Sequence, residues 1–431
     1  MRIGLIAMSG VRVKSAELAA LGVTLPGFVR RGKVIASLPS LGLLTVAALT
    51  PLEHEVSYIE VADIHSAPAF PAFDLVGISS MTAQISEAYA VAELFRSRGT
   101  RVIMGGLHVS QLPHEALAHA DAVLRFGAEG VWPRVVDNAE RGCLQPIYDG
   151  ATNQVFSPGL YTMPRFDLLA GRQYNRVTVQ TSRGCPRACE FCAASLRITS
   201  QFNQKPIDLV LTEIRAAKGH VRRPYFEFAD DNTFLNHHWS KELLCALRDE
   251  EIHYFTETDV SVADDLELCD LLAESGCRQV LIGFESPRNN DLIGIDPASW
   301  KSRQASRYRR VIDVLQSRGV SVNGCFILGL DSHTPDVFPT MLDFVRSSGL
   351  AEVQYTVLTP FPGTPLFERL RHEGRLLQEE FWDSCTLFDV NFQPKQMTVN
   401  ELESGLRWLF RETYNRAETS RRLRRFVTSV A

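Results

Sequence analysis

Thr181-Ser182-Arg183-Gly184-Cys185-Pro186-Arg187-Ala188-Cys189-Glu190-Phe191-Cys192 carries three cysteines within a single short loop, directly after a strand-like run at Arg176–Gln180. Thiols separated by three and then two residues can wrap one cluster from one loop. An iron–sulfur cube takes one ligand per iron, so three cysteines with no nearby fourth leave one iron open to bind a ligand. Zinc is the alternative, but zinc sites pair C-x2-C motifs with a distant second pair or with histidines. No such second pair stands in this chain. The remaining six cysteines (Cys143, Cys245, Cys269, Cys277, Cys325 and Cys385) are scattered and read as small buried hydrophobes.

Outward from this loop, strand and helix patterns alternate on both sides. Downstream, strands are predicted at Tyr225–Ala229, His253–Thr258, Gln279–Phe284, Ser321–Ile327 and Glu352–Leu358. Helices are predicted between them at Ile207–Lys218, Lys241–Glu250, Asp265–Ser275 and Tyr308–Arg318. Six such units make an open, partial (β/α)6 barrel over residues 176–365, followed by a helical C-terminal region at 366–431. Upstream, short apolar runs at Arg2–Ala7, Glu55–Val61, Asp74–Ser79, Arg101–Met104 and Asp121–Phe126 alternate with helical spacing at 41–49, 86–98 and 131–141. That pattern predicts an α/β, doubly wound Rossmann-like domain at 1–145, with ligands at the carboxyl ends of its strands. Residues 146–175 lose periodicity, carry Pro146, Pro158 and Pro164, and read as a linker.

The Cys-x3-Cys-x2-Cys loop, with Phe191 before its last cysteine, resembles the signature of the radical S-adenosylmethionine (SAM) superfamily. The resemblance implies a [4Fe–4S] cluster on Cys185, Cys189 and Cys192, whose open iron chelates SAM and whose electron cleaves it to a 5′-deoxyadenosyl radical. Four further segments resemble the family in order along the chain. Phe226-Glu227-Phe228-Ala229-Asp230-Asp231-Asn232 is similar to the part that meets the SAM amino group, which implies roles for Asp230 and Asp231. Gly283-Phe284-Glu285-Ser286 is similar to the part that meets ribose and carboxylate, which implies roles for Glu285 and Ser286. Gly324 to Gly329 resembles the segment beside adenine, and Tyr355 to Leu366 resembles the sixth-strand end of cobalamin-dependent members.

The N-terminal domain resembles the cobalamin-binding domain of that subfamily, at Val76–Ser80, Met104–His108 and Phe126–Gly130. Gly77, Gly105 and Gly106 permit close backbone approach where a corrin would lie. His108 is implied as a cofactor contact rather than a metal ligand. Many cobalamin domains offer a D-x-H-x-x-G motif after the first strand, but this chain reads Met8-Ser9-Gly10-Val11-Arg12 there. Asp63-Ile64-His65 follows the second strand, runs into Pro68 and reads as a surface coincidence. The expectation is a base-off cobalamin with no histidine beneath cobalt.

The implied activity is methylation of an unactivated carbon in a small-molecule substrate, with lipids and natural products as the expected classes. It would proceed through methylcobalamin and draw electrons from an external flavodoxin- or ferredoxin-type reductant. Cyclisation or rearrangement on the same cofactors is the alternative outcome. A nucleic-acid-modifying enzyme is the third reading, and the net charge of −5 argues against it. The arginines at 416, 421, 422, 424 and 425 read as a solvated helix end. Tyr308, Tyr355 and Cys325 are further residues considered for the cavity, and Phe381 to Met397 is expected to close the barrel mouth with core aromatics. With 45% hydrophobic residues and no apolar run near the roughly 18–20 residues that span a bilayer, the sequence predicts no membrane span. The absence of a cleavage-type leader predicts a cytoplasmic location.

Overall fold

The computed structural model describes residues 1–21, 34–35, 38–66, 69–150, 156–157, 159–172, 174, 176–193 and 201–430. Pro68 and Pro158 lie outside the described residues. Twelve strands in two parallel sheets organise these residues.

In the first sheet β1 (Arg2–Met8) pairs with both β2 (Glu55–Val61) and β3 (Leu75–Ser79), and β4 (Arg101–Gly105), β5 (Ala122–Arg125) and β6 (Ile147–Asp149) follow. The order is therefore β2-β1-β3-β4-β5-β6, with every neighbour parallel. Parallel strands need both faces covered because their crossovers lie on the faces. α1 (Leu41–Leu49) and α3 (Trp132–Glu140) bury Leu44, Val135 and Val136 with Leu5 and Ile103 in one core cluster. α2 (Ile85–Ser97) buries Ala88, Val91, Ala92 and Phe95 with Val76, Val102 and Met104 in another. The strand order reverses direction between β1 and β3, the position where open sheets of this kind bind ligands beyond their carboxyl ends.

β6 corrects the reading of 146–175 as a linker. Ile147–Asp149 pairs in register with Val123–Arg125 and extends the first sheet. Farther on, Phe166–Leu169 forms a 3-10 turn whose Phe166 and Leu169 are fully packed. A three-residue edge strand directly after a proline is too short to show an alternation.

The second sheet runs β7 (Val177–Val179), β8 (Tyr225–Phe228), β9 (His253–Thr258), β10 (Cys277–Glu285), β11 (Ser321–Leu328) and β12 (Glu352–Val357), each parallel to the next. Helices α4 (Ile207–His220), α5 (His237–Leu247), α6 (Leu266–Glu274), α7 (Tyr308–Gln316) and α8 (Val337–Ser348) connect them. One face of this sheet is apolar (Phe226, Tyr254, Ile282, Val322, Phe326, Tyr355) and fully buried. The other face mixes polar residues, among them Glu227, which pairs with Arg176, and Asn323 and Gln354, with apolar neighbours such as Phe255 and Leu281. A closed eight-stranded barrel fills its interior with branched apolar side chains; six strands leave this interior open and partly polar.

Three helices follow: α9 (Pro365–His372), α10 (Val399–Tyr414) and α11 (Arg416–Val430). Between α9 and α10 lies a strap whose one helical turn is the 3-10 turn Trp382–Ser384, so the C-terminal region is less helical than its sequence suggests. The strap bridges Leu376 to Phe392, donates Leu377 N–H to Asn391, and offers its Leu387 carbonyl to Val357 N–H. Arg422 is buried on the carbonyls of Thr413 and Ala351, and Arg421 bonds Glu418 and Arg346 O, so two of the five C-terminal arginines serve the fold.

Candidate active site

The cysteine loop leaves the carboxyl end of β7 through a short ribbon, Ser182–Arg183 paired with Asn203–Gln204. Gly184 makes the turn into it at φ +95°, where a Cβ would stand 2.2 Å from Gln201 O. Asp230, just past β8, clamps this segment: it accepts from Thr181 N at 2.7 Å, Thr181 Oγ1 at 2.5 Å, Ser182 N at 2.9 Å and Thr233 Oγ1 at 3.0 Å. Both oxygens are used inside the protein and the residue is buried. Asp230 is thus a positioning residue for the loop, which corrects its reading as a cofactor contact. Its neighbour Asp231 accepts from Gly184 N at 3.0 Å, one residue before Cys185, and its charge reaches that thiol.

Among the described residues, no three His, Cys, Asp or Glu side chains converge as ligands of a single ion. The charges of Asp231, Asp259 and Arg187 act on Cys185, and those of Lys301, Glu285 and Cys192 act on Cys189. A cube, whose irons take one thiolate each, asks for ligands spread over its corners; a tetrahedral zinc would need them gathered at one point. The donor chemistry, three thiols and no fourth in one loop, fits the cluster. Burial pushes the Cys189 thiol up to about 12, against the pull of the Lys301 charge.

Several residues that sequence reasoning missed surround the loop. Arg187, between the first two cysteines, donates Nε to Asp259 Oδ2 at 3.0 Å and lies 3.7 Å over the Trp300 ring. Asn232 Nδ2 donates to the same Asp259 oxygen at 2.8 Å. Burial would raise Asp259, but Arg187 and the donors of Ser261 and Asn232 outweigh it and hold its carboxyl low. Glu285 ends β10 with φ +60°, in the left-handed region that a non-glycine residue enters at a cost. Lys301 holds it there, donating to Glu285 Oε1 at 2.5 Å and to Gly283 O at 3.1 Å. Tyr308 Oη donates to Phe284 O at 2.7 Å, and Ser286 Oγ donates to Asp291 Oδ2 at 2.6 Å. Only the spacing of Asp291 from Ser286 within one loop was available in the sequence to suggest any of this.

A cavity of about 1390 Å³, open mouth included, lies at the carboxyl ends of β3, β4 and β5. Gly77, Gly105, Gly106 and Gly127 line it beside Ser79, and α1 contributes Gly42 and Thr45. Its far wall belongs to the second domain: Gln180, Arg183, Lys205, Glu213 and Ala229. Arg183 bridges the two, 3.3 Å from Glu129 of the first domain and two residues before Cys185. At Gly106, φ is +111° and a Cβ would stand 2.9 Å from Ser80 O, so only glycine fits. The small residues at the strand ends leave room for a flat macrocycle between larger apolar side chains such as Leu41, Leu124 and Trp132, and among the described residues no histidine lines the cavity.

His108 does not line it, and its reading as a cofactor contact is corrected. It is fully enclosed, 3.1 Å from Glu115 Oε1 through Nε2 and edge-on to the Trp382 ring at 5.3 Å. Tyr308 and Tyr355 are also core residues, the second bonded to Thr413. Cys325 is half-buried on the polar face of β11, in register with Gly283 and Gln354. His65 is exposed on a 3-10 turn after β2, as expected of a surface residue.

Two family models match in the order the fold presents: "B12 binding domain" over residues 29–135 and "Radical SAM superfamily" over 179–345. A third, "Domain of unknown function (DUF4070)", matches 364–431. The bacteriochlorophyllide d C-12(1)-methyltransferase of Chlorobaculum tepidum is 26% identical over 89% of this chain and 84% of its own length. The hopanoid C-2 methylase of Rhodopseudomonas palustris is 25% identical over 80% of this chain and 67% of its own. Among solved structures, the radical SAM methyltransferase TsrM of Kitasatospora setae, with cobalamin and a [4Fe–4S] cluster bound, shares the fold. Its TM-score is 0.61 at 16% identity, covering 86% of this chain and 78% of that one. With a cysteine loop at the mouth of a partial barrel, and a glycine-walled cavity joining it to a doubly wound domain, the chain belongs to the cobalamin-dependent radical SAM enzymes.

Proposed function

We propose that this enzyme transfers a methyl group to an unactivated carbon of a small-molecule substrate, of lipid or natural-product class. The observation that carries the reading is the continuity of the cavity, from Gly77, Gly105 and Gly106 to Gln180, Arg183 and Ala229 at the root of the cysteine loop. A methyl carrier on one wall and a radical source on the other then face a shared space. When bound, the cluster, SAM and cobalamin supply a carbon-centred radical and a transferable methyl group, and the protein supplies position and exclusion of solvent.

Cys185, Cys189 and Cys192 hold the cluster. Asp231, Glu285 and Ser286 would orient SAM, with Asp230 fixing the loop and Lys301 fixing Glu285. Gly77, Gly105 and Gly106 would let the corrin approach the backbone. Electrons come from a flavodoxin- or ferredoxin-type protein in the cytoplasm, and nucleic acid is not a partner. The domains divide at 1–145, 146–175, 176–365 and 366–431, apart from the strand at Ile147–Asp149.

Anaerobic purification with cobalamin supplied, followed by iron and cobalt analysis, tests this reading. About four irons and one cobalt per chain are expected. A Cys185→Ala/Cys189→Ala/Cys192→Ala variant is expected to lose the iron and keep the cobalt. Iron without cobalt removes methyl transfer and leaves only the radical chemistry.

A further inference from the structure

β10 and β11 end side by side, and the loops beyond them meet on one carboxylate. Asp291 accepts from Ser286 Oγ at 2.6 Å and Arg288 Nε at 2.8 Å, both on the β10 side. From the β11 side it accepts from Ser332 Oγ at 2.9 Å, and His333 Nε2 lies 3.3 Å away. His333 is fully buried. Its other nitrogen, Nδ1, accepts the N–H of Gly329 at 3.3 Å, which places the ring proton on Nε2, facing Asp291. The chain Gly329–His333–Asp291–Ser286 therefore spans the two strand ends. It does so beside a register shift between Gly283 and Glu285, a local irregularity in the ladder that pairs the two strands.

We infer that His333 and Asp291 are positioning residues for SAM: they lock the end of β10, with Glu285 and Ser286, to the end of β11 at Gly329. The inference rests on the reading that these two strand ends face SAM. Asp291 gathers donors from both strand ends, and groups that share one buried carboxylate resist separate rearrangement. Both residues are buried, so their effect on SAM passes through Ser286 and the Gly329 backbone.

The test is the affinity of the iron-loaded protein for S-adenosylhomocysteine, which keeps the nucleoside and amino-acid parts and cannot be cleaved. Isothermal titration would compare His333→Gln, Asp291→Asn, Ser286→Ala, the Ser286→Ala/Asp291→Asn double variant and Glu285→Gln. The expected result is a weakening of about tenfold for His333→Gln and Asp291→Asn, in the range of energies coupling residues of one network. The double variant should bind no more weakly than the worse of its two parents. Full additivity, or unchanged affinity in His333→Gln and Asp291→Asn while Ser286→Ala and Glu285→Gln weaken, overturns the inference and leaves the SAM site standing. Unchanged affinity in both Ser286→Ala and Glu285→Gln overturns the SAM reading of this strand end, and the inference with it. If the Asp291 and His333 variants do not yield iron-loaded protein, Ser332→Ala removes one donor to the same carboxylate from an exposed residue. Weakened affinity there supports the inference, and wild-type affinity overturns it.

Discussion

Gly106 shows how narrowly single residues are constrained at the cavity. Its φ of +111° is open to glycine alone, and a methyl group would press on Ser80 O. Gly106→Ala is expected to cost about 1–3 kcal/mol, the usual cost of forcing a side chain into such a backbone region. Because the strain falls on the cavity wall, the variant should also retain less cobalt than wild type after purification with cobalamin. Thermal melts and cobalt analysis check both halves; full stability with full cobalt would show that the loop yields easily. The cysteines could be read from spacing alone because three thiols in one loop have few other uses. Asp230 and His108 could not, since what they do is decided by partners that only the fold brings to them: Thr181 for the aspartate, Glu115 and Trp382 for the histidine. Motif position named both residues, and only packing shows that each is spent inside the protein.

At the scale of elements, the buried parallel strands were legible because they are near-continuous apolar runs, and the helices because one face repeats. α8 and the strap were not. The strap has neither period, and its order comes from tertiary bonds: Asp389 accepts the N–H groups of Lys14 and Ser15, and Phe381, Trp382 and Cys385 are buried against the first domain. Trp382 is its main anchor, packed on Phe367 and Phe381 and donating Nε1 to Glu115 Oε2 at 3.2 Å. Trp382→Ala is expected to lose about 3 kcal/mol, at the low end for large aromatics in cores because one edge remains near the surface. The loss should be local first. Limited proteolysis ought to cut within residues 376–395 of the variant at enzyme levels that leave the wild type whole. Cutting spread over both domains would mean that the strap has no separate stability.

Across the whole molecule, the strap turns two domains into one unit, and the join has a charge at its centre. Glu115, in the first domain, accepts from Tyr89 Oη at 2.8 Å, from His108 Nε2 at 3.1 Å and from Trp382 Nε1 at 3.2 Å. Burial would raise its pKa, but these three donors outweigh burial and hold the carboxyl below its ordinary value. A carboxylate whose folded pKa is depressed stabilises the fold above its unfolded pKa, about 4.3, and that contribution is lost as pH falls through the folded value. Glu115→Gln should therefore melt below wild type at pH 7, since a neutral amide cannot satisfy the same three donors. The gap between the two proteins should then close as pH is lowered from 5 toward 3, because wild type alone loses the carboxylate. Melting curves for both across that range decide the matter. A gap that stays constant with pH would mean that Glu115 acts by shape and hydrogen bonding alone. A gap that closes would place a pH-sensitive carboxylate at the joint that holds the corrin wall against the cysteine loop.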